Sequence, residues 1–132
     1  MDWNEFESEI DILAKKIDAV PDLIIGIARG GVIPAVLLSK RLNVKDMYVL
    51  KVRKEGGERR VMAEIFTDVS KKKVLLIEDM LETGKSMIVA KQYLEENGAT
   101  AITACLYIMS QTEVQPDYFL REVPDVVHFP WE

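Results

Sequence analysis

Glu78 and Asp79 stand directly after four apolar residues, Val74-Leu75-Leu76-Ile77, and Thr83-Gly84-Lys85-Ser86 follows a few positions later. A short continuous apolar run reads as a buried strand, so the two carboxylates are delivered to a strand end. Gly84 permits a close backbone turn, and a helical pattern begins at about Lys85. The first N–H groups of a helix have no intrahelical partner, and the helix dipole favours an anion there. Thr83 and Ser86 add hydroxyl donors, so residues 83–86 form a cradle suited to a monophosphate. Two adjacent carboxylates beside it suit a sugar diol or Mg²⁺. The plainer reading is that the acids close a strand and Thr83 caps a helix. Gly84-Lys85-Ser86 taken alone suggests a Walker phosphate loop, but the earlier glycine of that pattern is missing.

A second turn carries related chemistry. Gly26-Ile27-Ala28-Arg29-Gly30-Gly31 follows the apolar run Leu23-Ile24-Ile25. Its glycines let backbone N–H groups point at an anion, and Arg29 adds a cation. Arg-Gly-Gly on its own is a weak signal.

Several elements must position these turns. Trp3, Phe6, Ile10, Leu13, Ala14 and Ile17 recur at spacings of three and four, which predicts an amphipathic helix started by Asp2 and stopped by Val20-Pro21-Asp22. Strands are expected at Leu23–Ile27, Met47–Val52, Val61–Phe66, Val74–Ile77 and Thr100–Met109. Helices are expected at Val32–Leu42, with Pro34 in the first turn, and from Lys85 to Glu96, stopped by Asn97-Gly98. Arg53 to Arg60 reads as a polar loop centred on Gly56-Gly57. The alternation of continuous apolar strands with helices predicts an α/β fold, a parallel sheet covered on both faces, with ligands at the carboxyl ends of the strands.

Composition narrows the partners. The chain has 132 residues, 48% apolar and 30% charged, which fits one globular domain over 1–132 and argues against disorder. The net charge of -5 argues against nucleic acid, and Lys71-Lys72-Lys73 reads as a solvated turn. A single cysteine, Cys105, excludes an intrachain disulfide, and with His128 the only histidine a zinc site is disfavoured. No apolar run approaches the roughly 20 residues of a membrane span, and the N-terminus lacks a leader pattern. A soluble, cytoplasmic protein is expected.

The string Val74 to Ser86 resembles the 5-phosphoribosyl-1-pyrophosphate (PRPP) motif of the type I phosphoribosyltransferases: four apolar residues, two acids, two apolar residues, then acid-Thr-Gly-x-Ser. The tail segments Pro116-Asp117-Tyr118-Phe119 and Phe129-Pro130-Trp131-Glu132 resemble the small microbial xanthine, guanine and hypoxanthine members, and the likeness covers most of residues 22–132. It implies the parallel-sheet fold of that family with a small C-terminal hood, and a homodimer. It implies that Thr83, Gly84, Lys85 and Ser86 hold the 5'-phosphate, that Glu78 and Asp79 hold the ribose hydroxyls with Mg²⁺ nearby, and that Glu82 assists proton movement at the base. Ala28, Arg29, Gly30 and Gly31 become the pyrophosphate loop, entered by a cis Ala28–Arg29 peptide. Residues 53–60 take the place of the family's mobile lid, with Arg59 or Arg60 reaching phosphate, although a plain Gly-Gly hairpin fits the same residues. The base positions depart from the family pattern: Met109 stands where a lysine is usual, Val126 where an aromatic residue stacks, and Val127 keeps only its backbone groups for the base. Lys51 is one alternative source of the missing donor. The implied reaction is transfer of phosphoribosyl to a purine with release of pyrophosphate. A PRPP- or nucleotide-binding regulator with a degenerate base site and a transferase for a non-purine acceptor stay open.

Overall fold

The structure, a computed structural model, describes residues 1–62 and 67–132. The chain opens with helix α1 (Trp3–Lys16), where the Asp2 carboxylate accepts the Glu5 N–H at 2.8 Å. This is the cap the sequence predicts. Then come β1 (Leu23–Ala28), α2 (Val32–Arg41), β2 (Met47–Glu55) and β3 (Glu58–Val61). The second half holds β4 (Lys73–Ile77), β5 (Met80–Leu81), α3 (Lys85–Glu96), β6 (Thr100–Ala104), β7 (Tyr107–Ile108) and β8 (Arg121–Glu122).

Five strands form the main sheet in the order β3-β2-β1-β4-β6, parallel except for β3. Side chains of a strand alternate between faces. Leu23, Ile25 and Ile27 of β1 with Val74 and Leu76 of β4 pack towards α3. Ile24, Leu75 and Ile77 pack on the other side with Phe6, Ile10 and Leu13 of α1 and Leu38 of α2. Both faces are covered, which is why the strands read as continuous apolar runs. Each of these fully buried side chains stabilises the fold by roughly 1.5–3 kcal/mol.

The chain leaves β1 through α2 towards β2, and leaves β4 through α3 towards β6, in the opposite direction across the sheet. The carboxyl ends of β1 and β4 therefore border the crevice where strand order reverses, the usual ligand position in such sheets. Gly26 pairs with Ile77 in this register, so the two turns singled out above leave the sheet side by side.

Two expectations change, and a third falls mostly outside the described residues. Residues 53–60 are not an irregular loop: β2 runs on to Glu55 and pairs antiparallel with β3, with Lys54 opposite Arg59 and Arg53 opposite Arg60. Gly56 and Gly57 both have positive φ (58° and 86°), the geometry a two-residue hairpin turn demands. Of the strand expected over Val61–Phe66, Val61 is the last residue of β3, Met62 is outside it, and residues 63–66 lie outside the described part. The single strand expected from Thr100 to Met109 is broken at Cys105-Leu106, and the chain next to it breaks in step at Glu78-Asp79. Beyond the breaks, β5, β7 and β8 form a second, parallel sheet in the order β5-β7-β8, the C-terminal hood. Backbone bonds from Glu78 N–H to Ala104 O (3.1 Å) and Leu106 N–H to Asp79 O (2.9 Å) carry the ladder across the split. The acid pair thus sits where the main sheet hands over to the hood.

Candidate active site

Gly84 is the residue before α3 and has φ of 79°, a left-handed conformation that favours glycine. Space demands glycine too, since a Cβ there would lie 2.6 Å from Thr112 Oγ1 and 2.8 Å from Val114 Cγ1. Gly84 offers no side chain to cap the helix, and no acidic residue stands in the first turn of α3. The open N–H groups of that turn face a cavity of about 300 Å³ lined by Glu78, Glu82, Thr83, Lys85, Ser86 and, from β3, Arg59. Thr83 Oγ1 accepts the Lys85 N–H at 3.4 Å, and Thr83 O accepts from Glu113 N–H at 2.8 Å, which ties the cradle to the segment after β7. The structure brings Glu78 and Glu82 to the same cavity as residues 83–86.

The Arg29 turn closes on the other side of the acid pair. A Cβ on Gly30 would lie 2.4 Å from Asp79 Oδ2, and one on Gly31 would lie 2.2 Å from Ile77 O. Both glycines are therefore required for the turn to rest against the end of β4. The Ala28–Arg29 peptide is cis, as the sequence led us to expect. Arg29, Gly30 and Asp79 line a second cavity of about 570 Å³ together with Trp131 and Glu132. Glu78 faces one cavity and Asp79 the other.

Burial pushes the Glu78 carboxyl well above the usual carboxylate range, the Asp79 charge pushes the same way, and a backbone N–H partly opposes both. Burial is also the main cause that raises Asp79 to about 6, against the Met80 N–H that it accepts at 2.6 Å, while the Glu132 carboxylate adds repulsion. Beneath them the Cys105 thiol is buried, and burial with the two carboxylates pushes its pKa up, so it stays a neutral core group. Among the described residues neither Glu78 nor Asp79 is in an ion pair. The pair stands between the start of α3 on one side and the Arg29 turn on the other, in surroundings that favour its protonated form.

The remaining predicted residues separate. Arg59 reaches the phosphate-side cavity, whereas Arg60 lines a different one, between β3 and α3, with Val89 and Tyr93. Met109 is buried and its N–H donates to Leu81 O at 2.9 Å. Val126 is 45% exposed, and the Val127 N–H points at Met80 Sδ, 3.5 Å away. Lys51, the alternative donor, is exposed on β2. Trp131 and Glu132 are site-lining residues to which the sequence reading gave no role at the site. Their only signal was the aromatic ending Phe129-Pro130-Trp131. Trp131 stacks on Phe129 (4.9 Å, 9°) and meets Phe6 of α1 edge-on (4.9 Å, 78°), which holds the tail over the Arg29 turn.

The family model for the phosphoribosyl transferase domain matches residues 1–132. The chain belongs to this family. Among solved structures, the purine phosphoribosyltransferase of Pyrococcus horikoshii superposes on this phosphoribosyltransferase domain with a TM-score of 0.93 at 34% identity, over 100% of this chain and 92% of that one. The Helicobacter pylori xanthine-guanine-hypoxanthine phosphoribosyltransferase shares the fold, with a TM-score of 0.86 at 20% identity over 99% of this chain and 90% of that one. Curated relatives include the ribose-phosphate pyrophosphokinase of Haemophilus ducreyi, 32% identical over 95 residues. They also include the orotate phosphoribosyltransferase of Sulfurisphaera tokodaii, 32% identical over 114 residues. These matches cover 72% and 83% of the phosphoribosyltransferase domain described here, which spans 30% and 56% of the two relatives.

Proposed function

We propose that this domain transfers the 5-phosphoribosyl group of PRPP to a purine-type base and releases pyrophosphate. One observation carries the reading: the Glu78–Asp79 pair has an anion cradle on each side, the start of α3 on one and the Arg29-Gly30-Gly31 turn on the other. PRPP has the matching order of groups, a 5'-phosphate, a ribose diol and a pyrophosphate. Thr83, Gly84, Lys85 and Ser86 take the monophosphate through backbone N–H and hydroxyl donors. Glu78 and Asp79 accept hydrogen bonds from the ribose hydroxyls.

In the reaction the bond from ribose C1 to the pyrophosphate oxygen breaks, and a bond forms from C1 to a ring nitrogen of the base. Charge grows on the departing oxygens, which Arg29 and the Gly30 N–H stabilise from the lining of the second cavity, while the Gly31 N–H holds the turn by donating to Ile27 O at 2.8 Å. Glu82 is exposed in the same cavity and accepts the proton that the base nitrogen loses. Arg59 neutralises phosphate from the hairpin side.

No group of three or more His, Cys, Asp or Glu is clustered to hold a metal among the described residues. Mg²⁺ is commonly bound by one or two carboxylates together with substrate phosphates, and the unpaired Glu78 and Asp79 fit that need. Bound there, Mg²⁺ supplies charge neutralisation for the pyrophosphate.

A second reading rests on Met109 and Val126. A thioether and a small exposed aliphatic group replace a donor and a stacking ring, which suits a PRPP- or nucleotide-binding regulator. Pyrophosphate release separates the two. The chain is incubated with PRPP, Mg²⁺ and single bases: release with a purine supports the transferase, and tight PRPP binding with no release for any base supports the regulator.

A further inference from the structure

Glu9 of α1 lines neither of the two cavities, yet it meets the hood directly. Its carboxylate accepts from the Tyr107 hydroxyl at 2.7 Å and from the Arg121 guanidinium. Tyr107 and Arg121 stand opposite one another in the β7–β8 register, and the guanidinium carbon lies over the Tyr107 ring, 4.8 Å from its centroid. Burial opposes the charge on Glu9, but the hydrogen bonds from Arg121 and Tyr107 outweigh it and hold the carboxyl below its usual range. Hydrogen bonds to an ionised acceptor are the strong ones, so α1 fixes the hydroxyl of a ring that is itself buried.

From Tyr107 a stack of rings runs to the second cavity. Tyr107 lies on Phe129 (6.1 Å, 14°) and Phe129 on Trp131 (4.9 Å, 9°), so three ring planes are nearly parallel. Trp131 lines the second cavity beside Arg29, Gly30 and Asp79. Rings in a close-packed interior cannot tilt independently of their neighbours. The indole is an apolar wall next to Arg29, and a wall that keeps water away strengthens the attraction between that cation and an anion.

We infer that Glu9 is a positioning residue for the second cavity, setting through Tyr107 and Phe129 the seat of Trp131 against bound pyrophosphate. This role rests on the transferase reading above, which seats pyrophosphate there.

Titration calorimetry tests it without turnover. Ribose 5-phosphate is titrated first and reads the cradle at α3. Pyrophosphate with Mg²⁺ is then titrated into protein saturated with ribose 5-phosphate, and reads the second cavity. Glu9→Ala should weaken pyrophosphate about threefold to thirtyfold, the range of coupling carried through packed side chains, and leave ribose 5-phosphate within about twofold. Tyr107→Phe keeps the ring in the stack and removes only its tie to Glu9. It should reproduce the loss, and it makes the same test where Glu9→Ala does not fold. Trp131→Leu should also weaken pyrophosphate, and adding Glu9→Ala to it should cost nothing further, because the path ends at Trp131. Unchanged pyrophosphate affinity in Glu9→Ala and Tyr107→Phe would overturn the inference. Equal losses for both ligands would overturn it as a general loosening of the fold, and additive losses in the double variant would overturn the path through Trp131. Each of these results leaves the transferase reading standing. Pyrophosphate that fails to bind the parent chain would overturn the inference together with that reading's assignment of the second cavity.

Discussion

Asp79 packs against Gly30, shares its strand end with Glu78, feels the Glu132 carboxylate, and holds its proton up to about pH 6. A carboxyl whose folded pKa lies above its unfolded value of 3.8 binds more protons folded than unfolded. Its stabilising contribution is complete below pH 3.8 and is lost as the pH rises through about 6. At pH 7.5 the apoprotein therefore carries a penalty on the order of 2–3 kcal/mol at this residue. Asp79→Asn removes it. Thermal melts should show the variant several degrees more stable than the parent at pH 7.5 and nearly equal to it at pH 4.5. The same change should weaken PRPP at least a hundredfold, because the amide loses one of the ribose-facing carboxylate oxygens. Glu82 calls for a different signature: Glu82→Gln should lower kcat by about 10²–10⁴ with PRPP affinity unchanged, since it handles a proton rather than the donor substrate. A single-turnover measurement beside a PRPP titration checks both halves.

At the scale of elements, the β2–β3 hairpin divides its two arginines. Arg59, opposite Lys54, reaches the phosphate cavity at the start of α3. Arg60 pairs with Arg53 and lines another cavity. Arg59→Ala should reduce kcat/KM for PRPP about tenfold or more, and Arg60→Ala should stay within about twofold, which steady-state kinetics on the two variants decides. The hairpin also marks where sequence reasoning stops. Val74 to Ser86 is readable because strand, turn and helix start are consecutive and each leaves a local pattern: an apolar run, a glycine at positive φ, and helical spacing. Thr100–Met109 reads as one strand because the pairing change at Cys105-Leu106 depends on Asp79 O and Tyr118 O, acceptors distant in sequence. β5, β7 and β8 are two residues each, too short to show a period.

At the scale of the whole molecule, the tail is held on α1 rather than by the sheet alone. Trp131 and Phe129 meet Phe6 edge-on, the Lys16 ammonium donates to Phe119 O at 2.9 Å, and the Glu9 carboxylate accepts from the Tyr107 hydroxyl (2.7 Å) and from Arg121. These contacts join opposite ends of the chain, so local sequence patterns carried no sign of them. They explain why Trp131 and Glu132 arrive at the mouth of the Arg29 cavity. Phe6 has no exposed surface, and Phe6→Ala should destabilise the fold by roughly 3–5 kcal/mol and weaken PRPP in the remaining folded protein. Chemical denaturation and a PRPP titration at low temperature read the two effects.

The central claim is that the paired cradles around Glu78 and Asp79 bind PRPP and activate its C1 centre. The most direct measurement is pyrophosphate release from PRPP and Mg²⁺ with hypoxanthine, guanine, xanthine and adenine offered one at a time to the parent chain and to Asp79→Asn. Base-dependent release by the parent and none by the variant is the predicted result. PRPP that neither binds nor releases pyrophosphate with any base would contradict the account.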